Sequence, residues 1–296
     1  MDLLNPSLPT PLQELSHEIL DRAEVKLLIK RDDLIHPIVS GNKWRKLKYN
    51  LIEAEETKQK AILTFGGPYS NHLYATSAAG KAMGFETIGI VRGEDNELNQ
   101  TDTLKFCKEQ GMKLHFVSRE EYRKRNTLSY LHEIVKKFNY PFLINEGGTS
   151  SHGLKGVTEM VTEVGEQLGN QPDYYAVSAG TGGTTAGILS AGENVLAFSA
   201  LKGGEFLEAD INELLSSFEH RGKLKLFTEY HFGGYAKYNS ELLDFMNRFN
   251  SDFDIQLEQV YTGKMFFGLF DQIRKDYFPK GTTIVAVHTG GLQGLL

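Results

Sequence analysis

Lys43 lies in the run Ser40-Gly41-Asn42-Lys43-Trp44-Arg45-Lys46, and its primary amine is the kind of group that condenses with an aldehyde. Far along the chain, Gly180-Thr181-Gly182-Gly183-Thr184 gathers small residues whose backbone N–H groups can close round a phosphate. Val177-Ser178-Ala179 before it reads as a strand end, and Thr184 to Leu189 as a helix start, where unpaired donors and the helix dipole favour an anion. The cluster is no Walker loop, because no Gly-Lys-Ser/Thr follows. It also fails the dinucleotide pattern, since Thr185 stands where the last glycine is required. A third run, Thr64-Phe65-Gly66-Gly67-Pro68-Tyr69-Ser70-Asn71-His72, again joins a strand to a helix. Ser70 and Asn71 there read either as a helix cap or as donors to a carboxylate and a ring hydroxyl.

Each run has a plain alternative when taken alone. Lys43 reads equally as a solvated lysine, and a glycine-rich turn as a tight connection. Together they predict that one chain holds both ends of pyridoxal 5′-phosphate, the aldehyde through Lys43 and the phosphate through Gly180 to Thr184. Nearby positive charge is expected to lower the pKa of Lys43 so that free amine is present.

These residues need a scaffold to position them. Short apolar runs at Val25–Ile29, Ala61–Phe65, Thr87–Val91, Leu114–Val117, Phe142–Ile144, Tyr174–Val177, Val195–Ala200 and Thr283–Val287 predict strands. Several are continuously apolar, as strands covered on both faces are. Amphipathic stretches lie between them: Trp44, Leu47, Leu51 and Ala54 share one helical face, as do Leu128, Leu131, Ile134 and Val135. Ser118 followed by Glu121 has the spacing of a capping box. The alternation predicts an α/β fold with mostly parallel sheets flanked by helices, and ligands beyond the strands' carboxyl ends. With 296 residues, 40% of them hydrophobic and 24% charged, the chain can bury one large core or two ordinary ones. A net charge of −6 argues against nucleic acid as a partner. The single cysteine, Cys107, fits a reducing cytosol, and no apolar run is long enough for a bilayer or a signal peptide, so a cytoplasmic location is expected.

Five ordered motifs carry a resemblance that spans nearly the whole chain, from about Leu27 to Gly294. They are Ser40 to Leu47, Gly66 to His72, Gly180 to Thr184, Tyr261-Thr262-Gly263-Lys264-Met265 and His288-Thr289-Gly290-Gly291. In these the chain resembles the 1-aminocyclopropane-1-carboxylate deaminase and D-cysteine desulfhydrase family of pyridoxal-phosphate enzymes. The resemblance implies that Lys43 carries the cofactor and moves protons, that Asn71 bonds the ring hydroxyl, and that Ser70, Asn71 and His72 receive the substrate carboxylate. It implies a phosphate site at Gly180, Thr181, Gly182, Gly183 and Thr184 with Lys46 as a charge partner. Tyr261 is expected as an active-site tyrosine and Tyr235 as a second, with Tyr238 competing for that place. No metal enters the expected site. The resemblance also implies two three-layer units, residues 1–45 with 156–296 and an inserted 46–155, the cofactor in the cleft between them, and a homodimer.

Two positions bear on the substrate. In the cyclopropane-ring deaminases the residue after the motif tyrosine is glutamate, and the one before the last Gly-Gly is leucine. Here they are Thr262 and Thr289, as in the desulfhydrases. A carboxylate near the pyridine nitrogen makes a strong electron sink, and a hydroxyl a weaker one. The weaker sink suits loss of sulfide from a small amino acid, D-cysteine first, better than opening a cyclopropane. The other readings are ring deamination, action on another D-amino acid such as D-serine or β-chloro-D-alanine, and a catalytically silent ligand-binding relative.

Overall fold

The computed structural model describes residues 4–94, 101–218 and 222–295. Six strands form the larger sheet, in the spatial order β1 (Leu12–Glu14), β2 (Lys26–Lys30), β10 (Thr283–Val287), β7 (Tyr174–Ala179), β8 (Val195–Ser199) and β9 (Leu224–Phe227). Only β1 runs antiparallel to its neighbour. Four parallel strands form the smaller sheet, in the order β5 (Lys113–Val117), β4 (Glu86–Arg92), β3 (Ala61–Gly66) and β6 (Phe142–Ile144).

The continuous apolar runs are explained by what covers each face. Along β2, Leu27 and Ile29 point into one core and Leu28 into the other, because successive side chains alternate across a sheet. In β10, Ile284 and Ala286 likewise separate from Val285 and Val287. The first core is closed by α1 (Glu18–Ala23), α10 (Ser240–Phe253) and α11 (Thr262–Arg274), the second by α7 (Ser151–Leu168), α8 (Gly183–Ser190) and α9 (Phe206–Leu214). The smaller sheet is covered by α2 (Asn42–Glu56), α3 (Asn71–Met83) and α4 (Asp102–Glu109) on one side. On its other side lie α5 (Arg119–Tyr122) and α6 (Leu128–Lys137). The expected α/β class with helices on both faces of parallel sheets is what the chain adopts. Among the described residues, no helix is long and apolar enough to cross a membrane.

Trp44, Leu47, Leu51 and Ala54 are all buried, as their spacing predicts, and Ser118 Oγ accepts from Glu121 N as an N-cap. Glu121 does not complete the box on its helix start; its carboxylate accepts from the Tyr130 hydroxyl instead. Leu128 departs from the expected buried face: it is 86% exposed, at the first position of α6. The expected divisions at residues 45–46 and 155–156 fall inside α2 and α7, two unbroken helices that pack against each other.

Candidate active site

Carboxyl ends of strands from both sheets open onto one cavity of about 470 Å³, within the ordinary range for small-molecule sites. Lys43, Lys46, Ser70, Asn71, His72, Gly180 to Thr185, Tyr235, Tyr261 and Thr289 line it, together with Asn42 and Ser178. The structure therefore brings together sequence positions from all five motif runs.

Why Ser-Gly-Asn-Lys has that order is visible at the start of α2. Gly41 adopts φ +64°, and a Cβ there would stand 1.9 Å from the Thr289 carbonyl oxygen. Only glycine lets the two motif backbones approach so closely. Asn42 donates from Nδ2 to Thr184 Oγ1 at 3.0 Å and accepts from Lys43 Nζ at 2.9 Å, so it links the amine to the glycine–threonine turn. Arg45 points away from the cavity and pairs with Asp32 at 2.8 Å and Glu163 at 2.5 Å, fixing the far side of α2. Burial holds the Lys43 amine at about 8, while the charge of Glu258 pulls the other way. The cause thus differs from the expected one, since desolvation rather than neighbouring positive charge lowers it. Lys46 is pushed well below its ordinary value, by burial first and by Lys43 second.

The turn after β7 is an open anion cradle. Gly182 is the N-cap of α8 at φ +73°, and no side chain caps the helix, so its first N–H groups face the cavity without an intrahelical partner. A Cβ at Gly183 would stand 2.7 Å from Thr149 Oγ1, and one at Gly180 would stand 2.9 Å from the Tyr261 ring. Thr185 Oγ1 is buried here with no hydrogen-bond partner. Small residues, unpaired donors, an orphaned hydroxyl and a buried lysine together fit a phosphate.

The turn after β3 is finished differently. Ser70 caps α3, its Oγ accepting from Leu73 N at 3.2 Å, and it lines the cavity as well, so the cap and ligand readings hold one position. Asn71 accepts from Gln293 Nε2 through Oδ1, which turns its amide donor to the other side. Thr64 donates its hydroxyl proton to the Ile144 carbonyl, so it accepts from His72 Nε2 at 2.8 Å. That assigns the proton of the neutral ring to Nε2 and leaves His72 Nδ1 an acceptor without a partner. Burial, Lys43 and Lys46 all push the His72 pKa well down, so the ring is neutral. The His72 side chain is thus a poor receiver for a carboxylate.

Tyr235 and Tyr261 meet edge to face at 6.1 Å between ring centroids, with 66° between the ring planes. Burial raises both phenols, that of Tyr261 most strongly, so both are protonated at neutral pH. Tyr238 is exposed and does not line the cavity. Thr289 is present at the wall, its hydroxyl 3.4 Å from Ser178 Oγ. Thr262 is not. It is fully buried at the start of α11, and its hydroxyl accepts from Glu258 N at 3.0 Å and lies 3.2 Å from the Glu258 carboxylate. Glu258 accepts in addition from the backbone N–H groups of Val260, Tyr261 and Thr262. It caps α11 from before its first residue, which draws Thr262 off the cavity.

Sequence reasoning gave no role to Glu258, Lys264 or Arg92. Arg92, at the end of β4, lines the cavity beside Gly67, its guanidinium over the rings of Tyr122 and Tyr235 at 5.7 and 6.0 Å. Nothing local marks it, because the contacts come from three separate segments. Lys264 lies three residues after Tyr261 in the same motif, and that proximity is the signal the sequence offers.

Residues 4–196 match the family model described as pyridoxal-phosphate dependent enzyme. The chain belongs to this family. Within it, the chain is 32% identical to the bifunctional D-cysteine desulfhydrase/1-aminocyclopropane-1-carboxylate deaminase of Arabidopsis thaliana, over 97% of this chain and 77% of that protein. It is 26% identical to the D-cysteine desulfhydrase of Klebsiella pneumoniae, over 97% and 93%. A solved structure described as an ACC deaminase homologue superposes with a TM-score of 0.84 at 28% identity, covering 99% of this chain and 91% of that one. The protein is a pyridoxal-phosphate-dependent lyase of the deaminase and desulfhydrase group, and its cofactor is pyridoxal phosphate.

Proposed function

We propose that this enzyme is a D-cysteine desulfhydrase, converting D-cysteine and water to pyruvate, hydrogen sulfide and ammonia. The observation that carries the reading is the cavity wall at Ser178 and Thr289, two hydroxyls 3.4 Å apart, with Thr262 withdrawn and Glu258 tied to backbone N–H groups. A ring nitrogen held by these hydroxyls would lack the carboxylate that keeps it protonated, which would favour a substrate with a good leaving group.

Lys43 would hold the cofactor's aldehyde end, and Gly180, Thr181, Gly182, Gly183 and Thr184 with Lys46 the phosphate. Pyridoxal phosphate, when bound, supplies the electron sink for bonds broken at the substrate's α and β carbons. The Asn71 amide would donate to the ring hydroxyl. Ser70 and the N–H groups at the start of α3 would receive the substrate carboxylate, His72 contributing through its backbone. Arg92 places positive potential at that same end. Lys43 Nζ, with its pKa near 8, would accept the α-proton. The C–S bond then breaks with its electron pair on sulfur, which leaves as HS−, and the protonated phenol of Tyr261, beside Tyr235, would stabilise it by donating a hydrogen bond.

A panel of D-cysteine, L-cysteine, D-serine, β-chloro-D-alanine and 1-aminocyclopropane-1-carboxylate, scored for pyruvate, sulfide and ammonia, tests the substrate. The expected result is sulfide and pyruvate from D-cysteine in equal amounts and little or no ammonia from the cyclopropane acid. Efficient ring opening with no reaction of D-cysteine would sink the desulfhydrase reading and leave the cofactor assignment standing.

A further inference from the structure

Tyr235 stands in the segment between β9 and α10, in backbone that does not settle by itself. Phe232 and Ala236 adopt φ +50° and +55°, and Gly233 and Gly234 φ +95° and +118°. Side-chain-bearing residues avoid this left-handed region unless surrounding structure imposes it. Local hydrogen bonds are few: Gly234 N to the His231 carbonyl, Lys237 N to the Gly234 carbonyl, and Gly233 N to His231 Nδ1.

The Phe267 ring packs on Phe232 from the core, and the polar tie to the segment's backbone comes from one side chain. Lys264, on α11 and 1% exposed, donates from Nζ to the His231 carbonyl at 2.9 Å and the Gly234 carbonyl at 2.8 Å, with the Ala200 carbonyl at 3.5 Å. Three carbonyls thus surround an ammonium that has three N–H donors, and among the described residues Lys264 has no ion pair. An apolar side chain would fill that space without the desolvation cost of a buried amine. What lysine adds is direction, since its bonds draw both carbonyls of the turn that precedes Tyr235 toward α11. The same helix carries Tyr261 at its N-cap, one turn before Lys264.

We propose that Lys264 is a positioning residue that holds Tyr235 against Tyr261 at the cavity wall by fixing the backbone of residues 231–236. Tyr-Thr-Gly-Lys is then one device, in which Tyr261 faces the cavity and Lys264 brings in its partner ring from a distant segment. The inference rests on the reading of Tyr235 as an active-site residue.

A double-mutant cycle on the cofactor-loaded enzyme tests it. Lys264→Met keeps length and removes every donor. Its loss of kcat/KM toward D-cysteine is expected to match that of Tyr235→Phe within about threefold, and to add less than about threefold in the Tyr235→Phe background. Amide hydrogen exchange gives a second readout, independent of turnover. In Lys264→Met, residues 231–236 should exchange at least about tenfold faster, with α11 and β8 unchanged. Gly234→Ala attacks the same contact from the segment itself, since alanine resists φ +118° and must turn its carbonyl, and it should reproduce both effects should Lys264→Met not fold. Additive losses in the cycle, an exchange increase spread along α11, or a silent Gly234→Ala would each overturn the proposal. A silent Tyr235→Phe would strike the role given to Tyr235 instead, and the exchange measurement would still decide whether Lys264 holds the segment.

Discussion

The turn after β7 and the turn after β3 are both glycine-rich, both leave the carboxyl end of a parallel strand, and both deliver a helix to the same cavity. They are completed in opposite ways. At α8 a glycine occupies the N-cap and no side chain satisfies the first N–H groups, so the site is open to an anion with several oxygens. At α3 the serine hydroxyl already accepts from Leu73 N, and Asn71 is braced by Gln293. The first turn keeps donors unsatisfied, as a resident phosphate requires. The second is preorganised and self-capped, as suits a substrate that must leave after each turnover. Lys43 lies between them, tied to the first through Asn42.

Removing the amine should have the largest effect. Lys43→Ala is expected to lower turnover by at least about a thousandfold, because it deletes both the attachment point and the base. Cofactor should still bind through α8 and quench Trp44, the only tryptophan, which adjoins Lys43. Loss of that quenching would mean that the α8 turn does not hold the phosphate unaided. Next comes the open turn itself. Gly182→Val places a Cβ 2.6 Å from Ile211 Cγ1 at φ +73°, and should weaken cofactor affinity roughly tenfold to hundredfold while turnover recovers at saturating cofactor.

The self-capped turn should respond the other way. Ser70→Ala is expected to reduce kcat/KM by about tenfold to a hundredfold, corresponding to about 1.5–3 kcal/mol for a bond to a charged group, with cofactor affinity unchanged. A variant that lost cofactor yet showed normal kinetics in excess cofactor would erase the distinction between the turns. The smallest effect is a pH dependence. With Lys43 held at about 8, the rate of covalent cofactor capture by cofactor-free protein should rise about threefold between about pH 7.5 and 8.5 and then level off. A rate still climbing nearly tenfold per unit between about pH 8 and 9 would show an unperturbed lysine.

What the sequence revealed follows from how local each signal is. Doubly covered strands such as β2, β7 and β10 announce themselves as unbroken apolar runs. β1 and β9, of three and four residues, lie at the two edges of the larger sheet and are too short and too exposed to show a period. The glycines at 41 and 182 were legible because backbone that only glycine tolerates leaves a mark on composition. The orientation of Thr262 is not legible in the sequence, since it is set by Glu258, a carboxylate whose capping role appears only once α11 is folded. The Tyr235–Tyr261 pair, with Tyr238 left outside, likewise depends on how the 231–236 segment is held from the core.

Two lysines line the cavity within one helical turn, Lys43 half-buried and Lys46 buried, and they would do different work: Lys43 would bond the aldehyde, and Lys46 would balance the phosphate. Borohydride reduction of the yellow, cofactor-loaded protein, followed by proteolysis and mass spectrometry of the modified peptides, reads that assignment directly. The predicted result is a single modified residue, Lys43, with Lys46 unmodified. Modification at Lys46, or protein that stays colourless with added cofactor, would contradict it.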